Sequence, residues 1–268
     1  MAYRLVVADL DGTVRSRTLG ITPGVRRAVA AAQAKGVRVC VATGRMWRSA
    51  EPWIRALGAD PPAILYNGGR VLDFRTGAVL LERRLAAGSA RDVLGLVRRD
   101  PAMQPHLFVN DRVYVERAHP LTDAYAADDG ISCEVVPAFE PLLDTDPDKI
   151  LAVGAVDRVA ALAAAVRQAS LPVHAVTSEP IYLEVLPPGI SKGAALAVVL
   201  DALGLEPAET IAVGDGWNDM EMIEEAGLGV AMGTAPAGVR ARAHHVCGSA
   251  EEEGFRDVLE RFVLAAGA

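Results

Sequence analysis

Two aspartates one residue apart, Asp9 and Asp11, follow the apolar run Leu5-Val6-Val7. That run reads as a strand buried on both faces. Strand geometry aims alternate side chains the same way, so the two carboxylates would share one side. Like charges so close raise each other's pKa, and a hard divalent cation with oxygen ligands would relieve them. The plainer reading is a strand entering an acidic turn, since Asp-Gly is a common turn dipeptide. The other apolar runs bear on the choice. The run 37–42 ends in Thr43-Gly44-Arg45, and 63–66 ends in Asn67-Gly68-Gly69. The run 210–213 ends in Gly214-Asp215-Gly216, followed by Trp217-Asn218-Asp219. In a parallel sheet all strand C-termini lie on one edge, which is where ligands bind. Asp9, Asp11, Thr43, Asp215, Asn218 and Asp219 are therefore expected to meet in space. Four carboxylates and a hydroxyl there suit a hard cation beside a phosphate-like group. Lys192, at the start of a later helix, is placed to neutralise that anion. Gly12, Gly44, Gly68 and Gly216 each follow a key residue, which suits close backbone approach and N–H groups turned to an anion.

The elements that must position these residues come in two styles. Up to about residue 83, apolar strands alternate with helices at 25–35 and 46–57, and a hairpin at 71–74 and 78–81 follows. Strand, helix, strand at this spacing predicts a parallel sheet with covering helices. Residues 84–187 are more mixed, with helices at 90–99, 121–127 and 155–169 between short strands. They read as an α+β module of about a hundred residues, enough for its own core. After Pro187-Pro188-Gly189 the first style returns, with a helix from Lys192 to Leu203 and the strand 210–213. The fold class is thus α/β: a Rossmann-like parallel-sheet core from 1–83 and 188–268, with 84–187 inserted as a second domain.

Composition narrows the partners. The net charge is −7 with no basic stripe, so nucleic acid is not an expected partner. The apolar runs fall far short of a membrane span, and the chain's first residues lack an apolar leader, so a cytoplasmic protein is expected. Cys40, Cys133 and Cys247 lie far apart without metal-type spacing and read as incidental thiols in a reducing compartment. Adjacent His244 and His245 would point to opposite faces of a strand and do not read as a metal pair. Of 27 basic residues only Lys35, Lys149 and Lys192 are lysine, so a lysine at the helix start after the insertion stands out. Arg should be near neutral at the other two.

At this point a family resemblance becomes close. Asp9-Leu10-Asp11-Gly12-Thr13 resembles the DxDGT nucleophile motif of the haloacid dehalogenase (HAD) superfamily. Thr43 in Ala-Thr-Gly-Arg resembles its second motif, Lys192 its third, and Gly214-Asp215-Gly216-Trp217-Asn218-Asp219 its fourth. Order, spacing and the insertion between the second and third motifs resemble the Cof-type subfamily, whose inserted cap is of type IIB. The likeness continues through Ala226-Gly227, Val230-Ala231-Met232 and Glu253-Gly254. Val14 stands where Leu is commoner, and Trp217 occupies a variable position, where it either narrows the site or packs under a loop.

The resemblance implies a Mg2+-dependent phosphatase that hydrolyses a small phosphorylated metabolite, such as a sugar phosphate, through an aspartyl-phosphate. Asp9 would attack phosphorus, and Asp11 would protonate the leaving oxygen and then deprotonate water. Mg2+ would be held by Asp9, Asp11 (through its backbone carbonyl), Asp215 and Asp219. Thr43, Lys192 and Asn218 would hold the phosphoryl oxygens, with Gly44, Arg45 and Asn67 beside the substrate. The cap would read the leaving group, with His106, Asn110, Arg112 and Glu184 as candidate specificity groups. The alternatives are a phosphotransferase or mutase on a phosphosugar, and a non-catalytic phospholigand-binding protein. A monomer or homodimer is expected, with no nucleic-acid or membrane partner.

Overall fold

A computed structural model describes residues 3–265. The chain divides into two compact units, one built from the segment up to Arg45, Ala50–Glu82 and the segment from Ser191 onward, the other from Met46–Ser49 and Arg83–Ile190.

At the centre of the first unit is a five-stranded parallel sheet, in the order His245–Val246, Leu228–Ala231, Thr210–Gly214, Leu5–Ala8, Arg38–Val41. Leu5 pairs with Thr210 on one side and Arg38 on the other, so the three strands end level at Ala8, Val213 and Val41. That register brings the residues following each strand to one edge. The two middle strands are buried throughout, which is why they read as unbroken apolar runs rather than alternations. The helix Lys192–Leu203 covers one face, packing Ala195, Leu196 and Val199 on Leu5, Val7, Cys40 and Ala212. Ser191 caps it by accepting the Ala194 N–H at 2.9 Å, and Gly204 ends it at a left-handed φ of 61°.

The third apolar run departs from expectation. Ala63–Leu65 does not extend the parallel sheet; it pairs antiparallel with Arg70–Asp73, which pairs with Ala78–Glu82 in a separate three-stranded sheet. A single parallel bridge, Ala42 to Ile64, ties it to the main sheet. The cause lies in the next two residues. Tyr66 and Asn67 adopt φ values of 53° and 55°, which a strand cannot accommodate. After the strand Thr210–Gly214 the chain makes a 3-10 turn, Trp217–Asp219, before Met220–Glu225 becomes α-helical.

The second unit holds a six-stranded sheet in the order His174–Glu179, Tyr182–Leu186, Lys149–Val153, Gln104–Val109, Arg112–Val115, Cys133–Val135. All neighbours are antiparallel except the last pair. Helices Ala87–Val97 and Val156–Gln168 seal one face, setting Val93, Leu94, Val159 and Leu162 against Leu107, Ile150, Ala152 and Leu183. The alternate residues include two of the expected specificity groups. Glu184 is buried and pairs with Lys149 at 2.8 Å, with the ammonium 4.8 Å from the Phe108 ring centroid. Lys149 is therefore not the indifferent surface lysine expected above: the larger guanidinium would have to enter a filled, desolvated pair. Arg112 faces Glu134 in an exposed pair, and Asn110 accepts from Arg84 at 2.9 Å.

His106 is fully buried, with Nδ1 donating to the Gln104 carbonyl at 3.1 Å and the ring edge-on to Tyr125. Burial pushes its imidazole down to about 4. Below pH ~6.5 the unfolded chain takes up a proton that the folded unit refuses, so stability falls as pH drops from about 6.5 to about 4. The full loss is about 3 kcal/mol. His106→Phe should flatten this limb when urea midpoints are compared near neutral pH and near pH ~5. An unchanged gap between the two midpoints would assign the limb to other groups.

Candidate active site

Every residue proposed for chemistry from the sequence belongs to the first unit, and the structure sorts them into three connected groups. The first is built on Lys192. Its helix start is pinned because Gly68, at φ 101°, lies where a Cβ would come 2.1 Å from the Ser191 carbonyl oxygen. The ammonium is wholly buried and donates to Asp9 Oδ1 at 2.5 Å and to Asp219 Oδ1 at 2.6 Å. The second oxygen of Asp219 accepts the N–H groups of Asp215 at 2.9 Å and Gly216 at 2.8 Å. Asp215 completes the cluster, with Thr13 Oγ1 3.5 Å from its Oδ1. Among the described residues, Asp9, Asp215 and Asp219 each offer a carboxylate oxygen within 4.8 Å of one another.

The electrostatics of this group are unbalanced. Burial pushes the Asp9 carboxyl well above the usual range; Lys192 opposes the shift, and Asp219, Asp215 and Asp11 add to it. Asp215 is pushed up to about 6, by burial and then by Asp219. Burial alone would lower Lys192, but Asp219 and Asp9 outweigh it and hold the ammonium charged. Three acids against one lysine leave room for a further positive charge, so the donor set fits a hard divalent cation. Both oxygens of Asp219 already accept hydrogen bonds, so direct ligation falls first to Asp9 and Asp215. Gly12 makes the approach possible. At φ +82° it lies where a Cβ would sit 2.2 Å from Asp215 Oδ2. Gly36 has the same φ with nothing within 4 Å of an added Cβ. Gly12→Ala should therefore cost more than tenfold in activity, while Gly36→Ala, with the same backbone strain, should lose only ~1 kcal/mol of stability and no activity. Equal losses in both variants would show that Asp215 is not displaced.

The second group surrounds Asp11. Its carboxylate is not part of the acidic cluster, so of the four acids expected around a metal three converge by side chain. Arg45 grips it with Nε to Oδ2 at 2.5 Å and Nη2 to Oδ1 at 3.0 Å. Arg15 Nη1 donates to Oδ1 at 2.5 Å. Burial raises the Asp11 carboxyl, but Arg45 and then Arg15 prevail and hold it below the usual carboxylate range.

The third group is polar and uncharged. Asn218 Nδ2 donates to Asn67 Oδ1 at 2.9 Å, across 151 residues of chain. Gly44 abuts Asn67, with an added Cβ only 3.0 Å from both its amide atoms. The buried Thr43 hydroxyl accepts the Arg45 N–H at 3.1 Å, which leaves its own proton to donate. Trp217 does not pack under a loop: it is 59% exposed, and its ring lies over Gly238. Arg15 is the site residue that motif reading passed over, and Thr13, the last residue of the first motif, carried no expected role. The available signal for Arg15 was an opposite charge four residues from Asp11.

Comparison with known proteins gives the family. A family model for haloacid dehalogenase-like hydrolases matches residues 6–259. A phosphoglycolate phosphatase of Methanoculleus marisnigri is 27% identical, over 97% of this chain and 96% of its own. The pyridoxal phosphate phosphatase YbhA of Escherichia coli is 27% identical, over 99% of both. A crystal structure of a haloacid dehalogenase-like hydrolase from Bacteroides thetaiotaomicron superposes with a TM-score of 0.88 at 27% identity, covering 97% of this chain and 99% of that one. The chain belongs to the haloacid dehalogenase-like hydrolases and is a phosphatase of the Cof type.

Proposed function

We propose that the protein hydrolyses small phosphorylated metabolites in two steps, through a phosphoryl group carried on Asp9. The observation that supports this most is the buried Lys192 ammonium shared between Asp9 and Asp219, beside Asp215. It holds one oxygen of a carboxylate while neutralising a site that must also accept a dianionic phosphate. Asp9 attacks phosphorus, and the leaving oxygen keeps the electron pair of the broken bond and takes a proton from Asp11. In the second step water attacks phosphorus and gives its proton to Asp11, and the Asp9 carboxylate is released. Thr43, Asn218 and Lys192 hold the transferring oxygens, and most of the catalysis is positioning and charge stabilisation. Asp9 and Asp215 would hold Mg2+, with the Asp11 backbone carbonyl and Asp219 in support. When bound, the ion neutralises charge on the phosphoryl oxygens.

The substrate class rests on the relatives, two of which are named for phosphoglycolate and pyridoxal phosphate. The 84–187 segment would select among such leaving groups, and the compartment is proposed to be the cytoplasm; among the described residues no helix is long and apolar enough to cross a membrane. The test is phosphate release from a panel of phosphorylated sugars, phosphoglycolate, pyridoxal phosphate and nucleotides. Activity should require Mg2+, with Ca2+ a poor substitute because its looser coordination misplaces nucleophile and phosphate. Full turnover by metal-stripped protein in excess chelator would overturn the metal assignment.

A further inference from the structure

The grip on Asp11 exceeds what charge balance needs. Arg45 already brings one guanidinium to this carboxylate and binds both its oxygens. Arg15 arrives from the opposite direction in the chain. The turn closed by Gly12 N–H to Arg15 O at 2.9 Å and Arg15 N–H to Leu10 O at 2.7 Å folds it back beside Asp11. Its guanidinium carbon sits 4.3 Å from the centroid of the Trp53 ring, on the helix Trp47–Leu57. Among the described residues its side chain has no hydrogen bond except the one to Asp11, and its Nε is buried without a partner. A mostly buried, half-satisfied guanidinium is a poor way to fill space. Its placement makes sense through what it touches, one carboxylate and one aromatic face.

Lone pairs show what the second guanidinium adds. Oδ1 accepts from both arginines and is filled, whereas among the described residues Oδ2 accepts only from Arg45 Nε and keeps one lone pair. The Arg45 fork restrains the carboxylate from one side only. A second donor, seated on a ring and reaching Oδ1 from Arg15, stops the carboxylate from turning. We propose that Arg15, seated on Trp53, is a positioning residue that fixes the Asp11 carboxylate and leaves Oδ2 as the oxygen for proton transfer. This rests on the reading of Asp11 as the acid–base residue. Oδ2 gives its proton to the leaving oxygen as the P–O bond breaks, and receives one from water as the new P–O bond forms.

The test compares phenyl phosphate with p-nitrophenyl phosphate, which are alike in shape but differ in how much the leaving oxygen needs a proton. The quantity read is the ratio of kcat/KM for the nitrophenyl ester to that for the phenyl ester. Asp11→Asn should raise it, and Arg15→Leu should raise it roughly tenfold or more. Trp53→Ala should reproduce most of that rise, Trp53→Phe should keep the ratio near wild type, and Arg15→Leu/Trp53→Ala should be no worse than Arg15→Leu. Thermal melts confirm folding; if Arg15→Leu fails to fold, the two Trp53 variants decide the matter. A raised ratio in Asp11→Asn with a wild-type ratio in Arg15→Leu overturns the proposal and leaves the role of Asp11 standing. Multiplying effects of Arg15→Leu and Trp53→Ala also overturn it, because the ring would not act through Arg15. An unchanged ratio in Asp11→Asn overturns the role of Asp11 itself.

Discussion

Asp9→Asn is expected to lower kcat by ~10⁴-fold or more, about 5 kcal/mol of barrier, and to leave the protein folded. The first part follows from its proposed place as nucleophile; the second follows from crowding. Burial and the charges of Asp219, Asp215 and Asp11 already hold the Asp9 carboxyl well above its ordinary range. An amide there removes one negative charge from a congested cluster, while Lys192 keeps Asp219 as a partner. Steady-state phosphate release checks the first part, and a melt within a few degrees of wild type checks the second. A variant that keeps a tenth of wild-type turnover would show that another group attacks phosphorus.

Lys192→Arg is expected to cost roughly 10²-fold or more in kcat/KM, about 3 kcal/mol. The ammonium is a point donor fitted between two carboxylate oxygens 2.5 and 2.6 Å away, with no exposed surface. A planar guanidinium needs more width than this gap provides and would displace Asp9 or Asp219. Lys192→Met goes further, leaving two buried carboxylates without their cation, and should destabilise the fold by about 3–5 kcal/mol. Lys35→Arg is the proper control, since Lys35 is exposed and donates to the backbone carbonyls of Leu264 and Val263. Lys149→Arg is not, because of its buried pair with Glu184. Equal behaviour of the Lys35 and Lys192 variants would remove Lys192 from the mechanism.

What could be read beforehand, and what could not, follows from the range of the interactions. Strands buried on both faces, such as Leu5–Ala8 and Thr210–Gly214, announce themselves as apolar runs, and their polar ends mark the sheet edge. That is enough to gather Asp9, Thr43, Asp215 and Asp219 before any coordinates exist. The departures arise where backbone conformation or tertiary pairing decides. Nothing in Ala63–Leu65 itself predicts the left-handed Tyr66 and Asn67 that send it to another sheet. Arg15 looked like one arginine among many because its partner ring, Trp53, comes from a different element. Lys149 and Glu184 are 35 residues apart, and only the strand register buries them together.

Asp9 is proposed to carry the phosphoryl group between the two steps. Acid-quenching the enzyme during turnover of acetyl phosphate, with Mg2+ present, and mapping its peptides by mass spectrometry tests this most directly. One phosphoryl group is expected on the peptide containing Asp9, removed by hydroxylamine as an acyl phosphate should be, and absent from Asp9→Asn. Phosphate release with no modified peptide, or a modification that persists in Asp9→Asn, would contradict it.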